Sequence, residues 1–112
     1  MFRDELIEQT EPLFEMSNVL TKYTGLSTSI WISAKRGNHG ARIKIYKERN
    51  GSGSSFYVTI SDEPKVIGNS FLKSKELIKI KKFVLLNKEI LLKFWELKIE
   101  DPVEVITNLE KV

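Results

Sequence analysis

The chain has 112 residues, 41% of them apolar and 29% charged, with a formal net charge of +3. That balance belongs to one folded domain with a single hydrophobic core, not to a disordered segment. It contains no cysteine and one histidine, His39, which excludes disulfides, thiolate zinc sites, cysteine nucleophiles and multi-histidine metal centres.

Leu6 and Ile7 follow Asp4 and predict a first short helix, which Thr10-Glu11-Pro12 interrupts. A second helix is expected from Glu11 to about Lys22, with Leu13, Phe14, Val19 and Leu20 as its apolar stripe and Tyr23-Thr24-Gly25 as its end. Three strands are expected next, at about 28–35, 41–47 and 55–61. The first two form a hairpin over Arg36–Gly40, whose glycines supply the backbone freedom of a tight loop. Asp62-Glu63-Pro64 stops the third strand, and Val66–Gly68 is a candidate short edge strand.

A long helical pattern starts at Ser74, its expected cap, with Leu77, Ile80, Val84, Leu91, Phe94 and Trp95 on one side. Lys75, Lys79, Lys82 and Lys93 fall on the other, as the solvated side of an amphipathic helix. Asn87 marks a kink or a junction between two helices. Asp101-Pro102-Val103-Glu104 places a capping aspartate, a first-turn proline and a glutamate at the third position, which starts a last helix. The expected fold is therefore α+β: a small antiparallel sheet of three or four strands packed on C-terminal helices, preceded by N-terminal helices. Residues 1–112 form one domain in this reading, with 1–22 as a helical extension and 23–110 as the body.

The stretch from Ser29 to Tyr46 carries the most specific signal. Side chains alternate across a strand with period two. Ile30, Ile32, Ala34, Ala41, Ile43 and Ile45 therefore share one face, and Trp31, Ser33, Lys35, Arg42, Lys44 and Tyr46 share the other. The third strand continues the pattern, with Phe56, Val58 and Ile60 inward and Tyr57, Thr59 and Ser61 outward. An aliphatic face thus backs a basic, aromatic one.

Charge is segregated along the chain. Residues 1–20 hold five acids and one base, residues 35–49 six bases and one acid, and residues 73–98 eight lysines and three acids. Such a layout suits either a positive recognition surface or internal pairing of acidic ends with a basic middle. The amino terminus, Met-Phe-Arg-Asp-Glu, lacks the apolar centre of a signal peptide, and the expected compartment is the cytoplasm. An isoleucine-rich, alanine-poor chain favouring lysine over arginine suits an AT-rich bacterial or phage genome.

Thr24-Gly-Leu26, Trp31-Ile-Ser33, His39-Gly-Ala-Arg-Ile-Lys44, Val58-Thr-Ile-Ser-Asp-Glu-Pro64, Leu72…Glu76-Leu77 and Asn87-Lys-Glu-Ile-Leu-Leu-Lys-Phe-Trp95 form an ordered series. The series resembles a family of small uncharacterised bacterial domains, loosely associated with toxin–antitoxin-type gene pairs. That pattern is a tryptophan strand, a histidine–glycine turn leading into Arg-Ile-Lys, and a C-terminal helix ending in tryptophan. It has proline where Ala41 stands here. The resemblance spans most of residues 23–110 and implies the fold without implying a chemistry.

The leading functional expectation is a non-enzymatic macromolecular binding protein of a bacterial or phage regulatory or defence system. Its expected recognition residues are Trp31, Lys35, Arg36, His39, Arg42, Lys44, Tyr46 and Tyr57. An alternative is direct binding of single-stranded nucleic acid, which combines ring stacking with phosphate neutralisation on an open sheet. A second alternative is a small hydrolase or nuclease in which Asp62 orients His39, with Ser61 or Ser33 nearby. The glycine–serine run 51–55 lacks the strand–loop–helix order of a phosphate-binding loop. Expected partners are a protein or a nucleic acid, with a homodimer open, no membrane, and no cofactor or metal.

Overall fold

In the computed structural model, which describes residues 16–35, 39–48, 51 and 53–112, the alternation read from the sequence becomes a five-stranded antiparallel sheet. The strands are β1 (Met16–Val19), β2 (Ile30–Ser33), β3 (Arg42–Tyr46), β4 (Ser55–Thr59) and β5 (Val66–Ile67). They lie in chain order, each antiparallel to the next. The helices are α1 (Thr21–Thr24), α2 (Ser74–Leu86), α3 (Lys88–Trp95) and α4 (Pro102–Thr107). The fold is α+β, with one strand more than the upper expectation.

That extra strand corrects the expected helix over residues 11–22. Met16, Ser17, Asn18 and Val19 pair with Ser33, Ile32, Trp31 and Ile30 of β2, and among the described residues of that stretch helix is confined to the single turn of α1. Ser, Asn and Val are weak helix formers, and the open edge of β2 offers a full row of backbone partners. Tertiary pairing therefore outweighs a loose apolar periodicity. The expected helices over residues 4–15 lie outside the described residues.

Ile30, Ile32, Ile43, Ile45, Phe56 and Val58 are buried on the inner face of the sheet. Ile80, Phe83 and Val84 of α2, with Leu91 and Phe94 of α3, join them in one core. Burial of apolar area, at about 25 cal/mol per Å², holds this layer of helices on the sheet. Leu77, expected among the inward residues, is only half-buried. Ser74 proves to be the first helical residue rather than the cap. Lys73 precedes it in extended geometry, and its N–H donates to the Glu76 carboxylate at 3.5 Å. The other Glu76 oxygen accepts from the Ser27 hydroxyl at 2.8 Å.

Asn87 separates α2 from α3, and its side chain explains why a polar residue is buried there. Its amide donates to the carbonyls of Phe83 at 3.0 Å and Glu110 at 2.9 Å, and its oxygen accepts from the Glu110 N–H at 2.8 Å. The junction thus clamps the segment after α4, and Val112 N–H then reaches the Thr24 carbonyl at 2.9 Å. Asp101 caps α4 by accepting from the Val103 N–H at 2.9 Å, with Pro102 in the first turn. No helix among the described residues is long and apolar enough to cross a membrane.

Candidate binding face on the outer sheet

The strand positions facing away from α2 and α3 carry Met16 and Asn18, Trp31 and Ser33, Arg42, Lys44 and Tyr46, and Tyr57. All of them are half-buried. Register sets them in rows across the sheet. Asn18 lies opposite Trp31, Trp31 opposite Lys44, Lys44 opposite Tyr57, and Tyr57 opposite Ile67. The same register brings Ser33 opposite Arg42, one row along.

Cations and rings interlock within these rows. The Arg42 guanidinium lies over the Tyr57 ring, 3.9 Å from its centroid. The Lys44 ammonium stands 4.7 Å from the Tyr46 ring and 5.1 Å from that of Tyr57. Trp31 meets Tyr46 edge-on, with centroids 5.8 Å apart and planes at 80°. A ring face attracts a cation by about 0.5–2 kcal/mol, so these contacts hold both charges in place.

The electrostatics favour an anion. Burial works against the Lys44 ammonium, but the hydroxyls of Tyr46 and Tyr57 outweigh it and hold its pKa above the ordinary lysine value. Among the described residues no carboxylate pairs with Arg42 or Lys44. The ion pairs there are Lys88–Asp62, Lys93–Glu89 and Lys98–Glu96. Among the described residues two buried donors, Trp31 Nε1 and Arg42 Nε, find no acceptor. Such donors are rare in native interiors, and here both belong to one face.

At one end of this face lies a cavity of about 160 Å³. Arg42, Lys44, Ser33 and His39 supply its polar wall, and Met16, Tyr57 and Trp95 its apolar wall. Trp95 arrives from the end of α3, where its carbonyl accepts the Lys35 N–H at 2.8 Å. His39 lies against it, with ring centroids 5.3 Å apart. Since a carbonyl only accepts, the 3.2 Å contact between His39 Nδ1 and the Gly40 oxygen makes Nδ1 the donor and leaves Nε2 bare in the neutral ring. The hairpin and the terminal tryptophan of α3 thus meet at one place.

Neither protein-family models nor curated proteins nor solved structures give a match to this chain. The geometry alone carries the reading.

Of the residues expected at the site, Trp31, Arg42, Lys44, Tyr46 and Tyr57 share the face, and His39 joins Arg42, Lys44 and Tyr57 around the cavity. Lys35 is exposed beyond β2 and contributes its backbone to the Trp95 carbonyl. Arg36 lies outside the described residues. Two cavity residues were not expected. Trp95 reads in sequence as helix core, and it is 95% covered although it lines the cavity. The sequence pattern reads Met16 as helical, so no local signal places it beside Ser33.

Of the residues in the hydrolase alternative, His39 and Ser33 line the same cavity, but Asp62 does not pair with His39. His39 contacts Trp95 and the Gly40 carbonyl, whereas the Asp62 carboxylate bonds the Lys88 ammonium. That bond, with the charge of Lys88, holds the Asp62 carboxyl below its usual range. Ser61 shares a 3.0 Å hydrogen bond with Thr59. Among the described residues no cluster of three or more His, Asp or Glu could hold a metal ion. A larger groove, of about 450 Å³, runs beside Asn87, Glu89, Glu104 and Glu110. Three glutamates and Lys93 line it among apolar side chains, Lys93 is paired with Glu89, and the Asn87 amide is committed to the chain segment it clamps.

Proposed function

We propose that this protein is a non-enzymatic binding module that recognises an acidic macromolecular partner, a protein, through the outer face of its sheet. One observation carries the reading: Arg42 and Lys44 stand on one half-buried face, propped by Tyr57 and Tyr46, with no carboxylate paired to either among the described residues. Fixed, partly desolvated cations bind anions better than solvated ones, because less ordering and dehydration remain at the moment of contact. The bacterial or phage regulatory setting implied by the sequence resemblance belongs to the same proposal.

Single-stranded nucleic acid is the weaker occupant for a geometric reason. Stacking needs free ring faces, and Arg42 already covers one face of Tyr57 while Trp31 abuts Tyr46. The discriminating experiment titrates labelled protein with a glutamate-rich peptide and, separately, with a single-stranded oligonucleotide at several salt concentrations. The expected result is saturable peptide binding, weakened at least about tenfold, or 1.4 kcal/mol, in Arg42→Ala and Lys44→Ala with the fold intact. Tighter oligonucleotide binding with a steep salt slope, or peptide binding indifferent to both substitutions, overturns the proposal.

A further inference from the structure

We infer that the cavity between the hairpin and the end of α3 receives a single phosphate monoester group, an inference that rests on the acidic-partner reading above and names its chemistry. Size is the first argument. About 160 Å³ equals the liquid volume of roughly five waters and matches that of an apolar cavity able to take benzene, about 150 Å³. Drug-sized ligands and cofactors occupy about 300–1,000 Å³. The cavity therefore suits one protruding group rather than a whole nucleotide.

Charge decides between oxyanions. Two fixed cations line the cavity, and among the described residues neither is neutralised by a carboxylate. A carboxylate or a sulfate ester brings a single negative charge and leaves one cation uncompensated. A phosphate monoester carries about −1.5 to −2 at pH 7, because its second ionisation lies near pH 6. It alone matches both. Arg42 Nε is shielded, so the guanidinium's terminal nitrogens are the donors left to a ligand. Those nitrogens suit phosphate oxygens geometrically, Lys44 acts as a point charge, and the Ser33 hydroxyl is a further donor.

The apolar wall fits the remainder of such a ligand. Met16, Tyr57 and Trp95 offer carbon surface beside the cations, which suits the organic part of an ester better than a bare inorganic ion. His39 Nδ1 is committed to the Gly40 carbonyl and the Asp62 carboxylate to Lys88, so among the described residues no carboxylate orients the imidazole, and the site is proposed to bind the ester and release it unchanged.

The test uses the full chain and its two tryptophans, Trp31 and Trp95, as reporters. Their indole N–H signals are followed while phenyl phosphate, phenyl sulfate, benzoate or inorganic phosphate is added at pH 7.5. The Trp95→Phe variant assigns the two signals. Phenyl phosphate is expected to shift the Trp95 signal saturably and to bind at least tenfold tighter than phenyl sulfate or benzoate. Its affinity is expected to fall below pH 6 and to drop tenfold or more in Arg42→Ala and Lys44→Ala. Arg42→Lys, which keeps the charge, serves if Arg42→Ala unfolds and is expected to retain part of the affinity. Lys79→Ala, on the far side of α2, is expected to bind as the parent does.

A phosphoserine peptide that binds tighter than phenyl phosphate places the group on a partner's side chain, and equal affinity places it on a small ester. Both results support the site. Sulfate or benzoate binding as tightly as phosphate overturns the phosphate assignment while leaving the acidic-partner reading intact. A Trp95 signal unmoved by all four compounds overturns the cavity as a site. Phenyl phosphate binding beside failure of both the glutamate-rich and the phosphoserine peptide overturns the broader reading alone.

Discussion

Asn87 shows how one side chain can fix the course of the chain around it. It is 96% covered, and its three hydrogen bonds reach both the preceding helix and the segment following α4. Asn87→Ala leaves the N–H and C=O of Glu110 without these partners. It is expected to cost about 1–2 kcal/mol, since the lost hydrogen bonds are partly buried and water can reach part of what they leave. Urea unfolding measures the loss, and hydrogen exchange should place it at residues 109–112. Lys44 makes a pH-dependent contribution. Its pKa is raised in the folded state, so its stabilisation is complete below the ordinary lysine value of about 10.4 and is lost as pH rises through the folded value. The stability difference between the parent and Lys44→Met should therefore be constant from pH 7 to 9 and shrink under stronger alkali.

At the scale of elements, the ends of the helices are the places where single residues carry the geometry. The end of α3 has the hydrogen-bond pattern of a Schellman turn, with Leu97 N–H donating to Phe94 and Lys98 N–H to Lys93. The left-handed position that glycine normally fills is held by Leu97, at φ 63° and 61% exposed. Leu97→Gly is expected to raise stability by about 0.5–1 kcal/mol, because left-handed backbone costs a side-chain-bearing residue about 1–2 kcal/mol and glycine returns part of that as chain entropy. A higher urea midpoint with unchanged slope is the result to look for. The end of α1 is the converse case. Gly25 has φ 79°, and a Cβ there would stand 2.5 Å from the Val112 carbonyl oxygen. Gly25→Ala should lose more than about 1 kcal/mol. Gly25→Asn, which tolerates the backbone but keeps the Cβ, should recover only part of it. Full recovery by Asn would show that the close approach of Val112 contributes nothing.

For the whole molecule, one sheet serves two environments, and the loops hold its edges to the helices. The turn after β4 is tied to α3 by the Asp62–Lys88 pair. Asp62 has a lowered pKa, so this contribution is present above the ordinary carboxylate value and lost as pH falls through the folded one. The parent should exceed Asp62→Asn in thermal stability at pH 7, and the two should converge as pH falls through the lowered value of the Asp62 carboxyl.

Much of this architecture was legible in the residues themselves. Alternation placed Ile30, Ile32, Ile43 and Ile45 inward and Trp31, Arg42, Lys44 and Tyr46 outward, because a strand fixes face by parity. The cap at Asp101, the junction at Asn87 and the short strand at Val66 were equally local, each set by a few neighbouring residues. β1 was not legible, since its conformation is imposed by the edge of β2 and its own residues prefer neither state strongly.

The amino-acid order by itself thus determined the two-faced hairpin, the helical layer beneath it and the absence of thiol chemistry. Tertiary structure alone decided that Trp95 and His39 close a cavity with Arg42, Lys44, Ser33 and Met16. It also gave Asp62 to Lys88 and set His39 against Trp95. The physical reason is range. Periodicity and capping act over a few bonds, whereas a cavity is made where segments some eighty positions apart in the chain are packed together by a shared core, and no local pattern encodes that meeting.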